Sequence, residues 1–377
     1  MNTKPSLWLM VTLLMFPQFV ETIYSPALGS ISDSFAVTYA QAAQTLSIYF
    51  SAFAVGIIFW GIMADKWGRR PTMLSGLLIY GCAAFVAMQT DNFTTMLVAR
   101  AVSAFGIAVG SVVTQTMLRD VFSGEALGKV FSLMGIGISI SPVLGMLLGG
   151  QLTSVGGYHS VFLALFIIAL VLFVYNVLHL PETQKEKQPL QLGRLSLRML
   201  KDTRIWQSAS LVAFFNIALF AYYQLGAFIF ADMGLSAAQF GYSGAVLGVG
   251  SLLGSAVSKT LLARNVSQLY LLWVSVLLLT AGAFGVHALL DSIWFLAPMM
   301  LVVMAFGIAI PNVLSVALIE YKQQVGSAGA VFGLMYYLMI GGGLALAGAI
   351  QHLGTVLIAC SLMAVFVTLS CRNRDEG

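Results

Sequence analysis

The chain has 377 residues, 59% of them hydrophobic and only 8% charged, with a formal net charge of +4. Soluble domains carry about 25% charged residues, so a chain this long could not cover a water-exposed surface with so few. A polytopic, all-α membrane protein follows, and the cation excess is no sign of nucleic acid because the cations gather in loops on one side of the apolar runs.

Twelve runs approach the ~20 residues that a bilayer crossing needs. They are expected at 6–29, 42–63, 72–89, 94–117, 129–152, 159–180, 206–231, 239–260, 268–287, 293–318, 328–351 and 354–371. The first begins soon after Lys4, as a signal peptide would. No clear A-x-A site follows it, so it is read as a retained span. Within it lies Glu21, followed by Thr22, Ile23, Tyr24, Ser25, Pro26, Ala27 and Leu28.

Between spans two and three, Gly61, Asp65, Lys66, Gly68, Arg69, Arg70 and Pro71 form a short polar run. So short a loop forces an antiparallel hairpin, and its cations place it in the cytoplasm. The fourth span carries Arg100, ahead of Ser103 and Gly106, and ends at Arg119 and Asp120. A charge inside a span costs from ~2.5 kcal/mol upward. Glu21 and Arg100 are therefore functional candidates. A structural reading of each stays open, with Glu21 hydrogen-bonded near the outer interface and Arg100 paired with polar groups or backbone carbonyls. Arg119 and Asp120 are placed to meet Asp65, Arg69 and Arg70. As solvated loop ends they would contribute under ~1 kcal/mol per pair.

The fifth span holds Gly135, Gly137, Ser141, Pro142, Gly145, Gly149 and Gly150. Small residues at helical spacing let backbones approach, and the proline bends the helix. The longest hydrophilic stretch, 181–204, follows span six and holds six cations. It divides the chain into 1–180, a linker 181–205 and 206–377, two six-helix bundles of a kind recurrent in transporters. In the linker Leu192, Leu195 and Met199 share one helical face, and Arg194, Arg198 and Lys201 another. That suits a helix lying in the inner interface on anionic lipid, or a tether joining the bundles.

Span seven sets Asn216, Phe220, Tyr223 and Gln224 on one face. With Tyr24, Tyr49, Gln115, Asn312 and Tyr336 from other spans, these are the candidate substrate contacts. Such a lining suits flat amphipathic molecules, held by apolar contact and a few hydrogen bonds. Every Lys and Arg except Arg100 falls at or beyond the span ends on the side of Lys4. The opposite loops carry Asp33, Asp91, Asp232 and Asp291 but no cation. Both termini are thus expected inside. Cys82, Cys360 and Cys371 read as packing residues, and neither they nor His159, His179, His287 and His352 have metal-ligand spacing. No phosphate-binding glycine loop or nucleophile–base set is present, so neither an enzyme nor a cofactor is expected.

Four of these stretches resemble motifs of the major facilitator superfamily. Gly61, Asp65, Gly68, Arg69 and Arg70 match its G-x-x-x-D-x-x-G-R-R/K loop. Tyr24, Pro26, Ala27 and Leu28 match the D-x-Y-L-P-A-L segment of Bcr/CflA-type drug:proton antiporters. There Thr22 stands at the usual Asp and Glu21 one residue earlier, about 100° around the helix. Arg100 resembles the arginine of R-x-x-Q-G, and Gly137, Pro142, Gly145 and Gly149 resemble the G-P-x-x-G-G antiporter segment, with Ser141 replacing a glycine. The resemblance implies a monomeric exporter of small molecules driven by protons in a bacterial inner membrane. It implies that Glu21 and Arg100 handle the proton, and that Gly61, Asp65, Gly68, Arg69, Arg70 and Arg119 latch the outward-facing state. A metabolite or nucleoside carrier of the same fold and a non-transporting receptor are the alternatives.

Overall fold

A computed structural model describes residues 5–184, 192–264 and 266–375, and every regular element among them is a helix. The expectations for Lys4 and for the side chains of Leu192, Arg194 and Cys371 lie outside the described residues. Helix α1 (Leu7–Tyr24) passes through a 3-10 turn, Ser25–Ala27, into α2 (Leu28–Ser34). Pro26 lies within that turn, where its missing N–H breaks the α-helical ladder. The first span therefore continues to Ser34 rather than stopping at 29.

A capping box of Thr38 and Gln41 starts α3 (Tyr39–Trp67), whose C-cap Gly68 leads into α4 (Arg69–Gln89). Asn92 caps α5 (Phe93–Val121). The next helix, α6 (Gly124–His179), has 56 residues. At 1.5 Å per residue it would be about 84 Å long if straight, far beyond one ~30 Å hydrocarbon core. It breaks at Gly156 and Gly157, the latter with φ +60°, a conformation costly for any residue with a Cβ. Ser30 closes the break by accepting from the Tyr158 N–H at 3.1 Å. The fifth and sixth spans are thus two limbs joined by a glycine hinge rather than by a six-residue loop.

After the linker helix α7 (Leu192–Lys201) come α8 (Thr203–Asp232), α9 (Ala237–Ala263), α10 (Gln268–Leu289), α11 (Leu296–Ala317), α12 (Val325–Ile350) and α13 (Leu353–Asp375). Eleven helices among the described residues are long and apolar enough to cross a membrane. Counting α6 as two limbs gives twelve crossings. Many overshoot the expected spans by several residues, because helical hydrogen bonding continues beyond the apolar slab.

The spans before the linker pack on one another, α1 against α5 and α6, α3 against α5, and α4 against α5 and α6. Those after it do the same, α10 against α11 and α13, α9 against α11, and α8 against α11, α12 and α13. The two groups meet along α3 with α12 and α6 with α9. Large apolar side chains such as Leu78, Phe85, Leu170 and Phe366 stay exposed on the outside, as a surface facing lipid requires. In α7, Leu195 and Met199 are buried, and the helix packs against α8 and α12, while Leu197 and Leu200 are exposed. Its apolar face is therefore seated on the bundle itself. Cys360 is buried, but Cys82 is exposed and does not serve helix packing.

Candidate functional site

Eight helices from both groups enclose a central cavity of about 350 Å³. At the end carrying the Asp65–Arg70 loop its wall is open, with Ser139 and Leu314 exposed. Towards the other end, Glu21 and Tyr223 are buried. That far end is sealed by contacts between the groups. Gln224 Nε2 donates to Ala43 O at 2.8 Å and to Ser47 Oγ at 3.2 Å, and Ser25 Oγ donates to Tyr223 O. The rings of Tyr39 and Phe228 stack at 4.3 Å, and Gln151 donates to Tyr242 Oη at 2.7 Å.

Glu21 is the only Asp, Glu, Lys, Arg or His on the wall among the described residues. Gln18 stands one turn before it on α1. Thr22 points elsewhere: its hydroxyl donates to Gln18 O at 2.9 Å, and a Cβ at Gly145 of α6 would collide with it. The position of the antiporter aspartate thus lies in a helix-packing seam, and the offset acid lies on the cavity. Aromatic faces form much of the remaining wall, with Phe50 against Phe220 at 4.6 Å and Phe53 against Tyr337 at 5.1 Å.

Arg100 is buried on α5 with 1% of its surface exposed. Its Cζ lies 3.8 Å from the centroid of Tyr24 and 4.8 Å from that of Tyr49. Its Nε and Nη2 have no hydrogen-bond partner, and no ion pair joins it to Glu21. Two π-faces therefore answer the guanidinium charge, an interaction that strengthens when water is excluded. Each ring is itself fixed, Tyr24 by donating to Thr45 Oγ1 at 2.7 Å and Tyr49 by donating to Pro17 O at 3.1 Å.

Gln115, Asn216, Phe220, Tyr223 and Tyr336 lie on the cavity wall. Tyr24, Tyr49, Gln224 and Asn312 do not, which corrects their expected place among the substrate contacts. The two tyrosines face Arg100, Gln224 belongs to the far-end seal, and Asn312 donates to Gln268 O at 2.9 Å. Gln224 leaves the Asn216–Phe220–Tyr223 face because a one-residue step turns about 100°. Gln18, Phe50, Phe53, Ser111, Ser139 and Ser251 are wall residues that the sequence reading missed. Of these, Gln18 and Ser111 were recoverable, since they stand one turn from Glu21 and Gln115.

At the open end, Arg69 Nη1 pairs with Asp65 Oδ1 at 2.8 Å and its Nε with Asp120 Oδ2 at 3.0 Å. Arg70 stays out of this cluster and donates to Val177 O at 2.7 Å. Arg119 also stays out, lying 5.7 Å over the ring of Phe131, because the step from Asp120 turns it to another face. Gly61 faces Val112 on α5. On α6, Gly137 meets Met15, Gly145 meets Thr22 and Gly149 meets the Ile23 backbone, while Pro142 lies on the cavity wall. Ser141 Oγ adds a bond to Met15 O at 3.0 Å. No cluster of three metal-ligating side chains occurs among the described residues.

The model of the Major Facilitator Superfamily matches residues 7–368. An uncharacterized transporter of Rickettsia bellii is 29% identical over 352 residues, covering 88% of this chain and 87% of that protein. Multidrug resistance protein MdtL of Shewanella oneidensis is 25% identical over 340 residues, covering 85% and 82%. The crystal structure of a D-xylose–proton symporter superposes with a TM-score of 0.77 at 14% identity, covering 96% and 95% of the two chains. That likeness is one of fold.

Proposed function

The chain belongs to the Major Facilitator Superfamily, and from that premise we propose that it is a proton-coupled carrier that exports small amphipathic molecules. The observation that carries the reading is Glu21, the one acid among the described residues on the wall of a cavity lined by aromatic and uncharged polar side chains. A carboxyl that alternates between acid and anion can take a proton from one side and release it on the other. Arg100 keeps its charge throughout, so the neighbourhood of Glu21 changes net charge by one with each proton. Gln115, Asn216, Phe220, Tyr223 and Tyr336 are the substrate contacts in this reading.

In this reading the open end, with its cation-rich loops, lies in the cytoplasm, and the carrier sits in a bacterial inner membrane with both termini inside. The segments 1–180 and 206–377 rock as two bodies across the linker 181–205. Opening outward breaks the far-end seal, and closing inward brings the Asp65–Arg69–Asp120 cluster towards the other group as a latch. The multidrug resistance relative supports export, and the aromatic wall supports amphipathic substrates. Inverted membrane vesicles test the proposal. An imposed pH gradient should drive accumulation of a fluorescent amphipathic dye, and uncoupler should release it. Gradient-independent exchange would make the protein a facilitator, and absence of flux a receptor.

A further inference from the structure

Just after span six, Glu182 and Gln184 are bound to the junction of α3 and α4, and Thr183 to the end of α5. The backbone N–H of Arg69 donates to Oε1 of Glu182 at 3.0 Å, and that of Arg70 to Oε2 at 3.0 Å. These amides belong to the first turn of α4, where no partner exists within the helix. Gly68, at the N-cap, has no side chain to offer them. It has φ +107°, and a Cβ there would lie 2.6 Å from Glu182 Oε2. Thr183 Oγ1 donates at 3.0 Å to Asp120 Oδ2, the same oxygen that takes Arg69 Nε. Gln184 Nε2 donates to Asp65 O at 2.8 Å. Every member of the ion cluster is thus held by residue 182, 183 or 184.

We propose that Glu182 is a positioning residue, whose carboxylate fixes the start of α4 and so holds the Arg69 side chain between Asp65 and Asp120. It touches neither the cavity nor Glu21. The two oxygens span two successive amides at a helix N-terminus, where a negative charge also meets the positive end of the helix dipole. The contact joins α4 to the end of α6 at the cytoplasmic mouth, so those helices move there as one piece. The inference rests on the latch reading above. It predicts that Glu182 governs how readily the mouth closes, while substrate affinity and proton coupling stay with the cavity.

The test uses full-length protein in lipid nanodiscs with Cys82, Cys360 and Cys371 replaced by alanine and a single reporter, Ser139→Cys, at the mouth. Maleimide labelling of the reporter reads the open mouth without any transport assay. Glu182→Ala should change the labelling rate at least about fivefold, the effect of one net hydrogen bond, and Glu182→Gln should fall between it and wild type. Gly68→Ala, which displaces the carboxylate and also strains the backbone at φ +107°, should change the labelling rate at least as much as Glu182→Ala. Wild-type labelling in Glu182→Ala, even with a lowered melting temperature, would reduce the residue to a structural cap and overturn the proposal. Should transport itself prove uncoupled from protons, a labelling change in Glu182→Ala still upholds the assignment.

Discussion

Arg100 brings a permanent charge into the buried interior, and the tyrosine rings over which it lies are what make that tolerable. A guanidinium lies flat against ring faces, whereas an ammonium is a compact, strongly hydrated point charge. Arg100→Lys should therefore lower the melting temperature and reduce dye uptake by about tenfold or more, taking ~2 kcal/mol for a desolvated cation–π contact. Tyr49→Phe keeps the ring and loses only the bond to Pro17 O, about 1 kcal/mol. It should transport like the wild type with a slightly lower melting temperature, and equal damage from both changes would refute the π-face account. From residues alone, Glu21 and Arg100 were legible because a charge in an apolar run is conspicuous. That Glu21 rather than Thr22 lies on the cavity was not, since one residue turns a side chain about 100° and only the Thr22–Gly145 seam shows which way α1 faces. Tyr24 and Tyr49 were visible as aromatics, but nothing in their spacing tied them to Arg100 on a different helix.

The seam between α1 and α6 is an element built on absent side chains. A Cβ at Gly149 would strike the Ile23 carbonyl, and one at Gly145 the Thr22 hydroxyl. Backbone cannot yield as a flexible side chain does. Gly149→Ala should thus cost roughly 1–3 kcal/mol through overpacking, read as a lowered melting temperature in detergent. Gly128, with nothing within 4 Å of its missing Cβ, is the control: Gly128→Ala should melt no lower than wild type, since alanine is the better helix former. An unchanged Gly149→Ala would mean that the helices do not approach this closely. The small-residue stripe was readable in the sequence, since it repeats at helical spacing, but its partner was not. The glycine hinge of α6 shows a similar limit. Gly156 and Gly157 lie between the two apolar runs, yet helical hydrogen bonding continues on both sides without the loop that the run lengths implied.

For the whole molecule, the twelve crossings follow from run lengths, which is why they could be read early. The closed end could not, because its contacts pair Tyr39 with Phe228 and Gln224 with Ala43 across nearly two hundred residues. Cysteine at exposed Asp91 should react with an impermeant thiol reagent from outside intact cells, and cysteine at exposed Glu125 should not; the reverse pattern would invert the topology. Asp65→Asn removes one partner of Arg69 and should slow transport about fivefold for each kcal/mol of lost state bias, with membrane insertion intact. The coupling itself is tested most directly by Glu21→Gln, which keeps the shape and hydrogen bonding of the side chain but cannot carry the proton. In inverted vesicles under an imposed pH gradient, the wild type should concentrate dye while the variant binds it without concentrating it. Accumulation by Glu21→Gln at the wild-type level, with the same dependence on the gradient, would contradict the account and send the proton by another route.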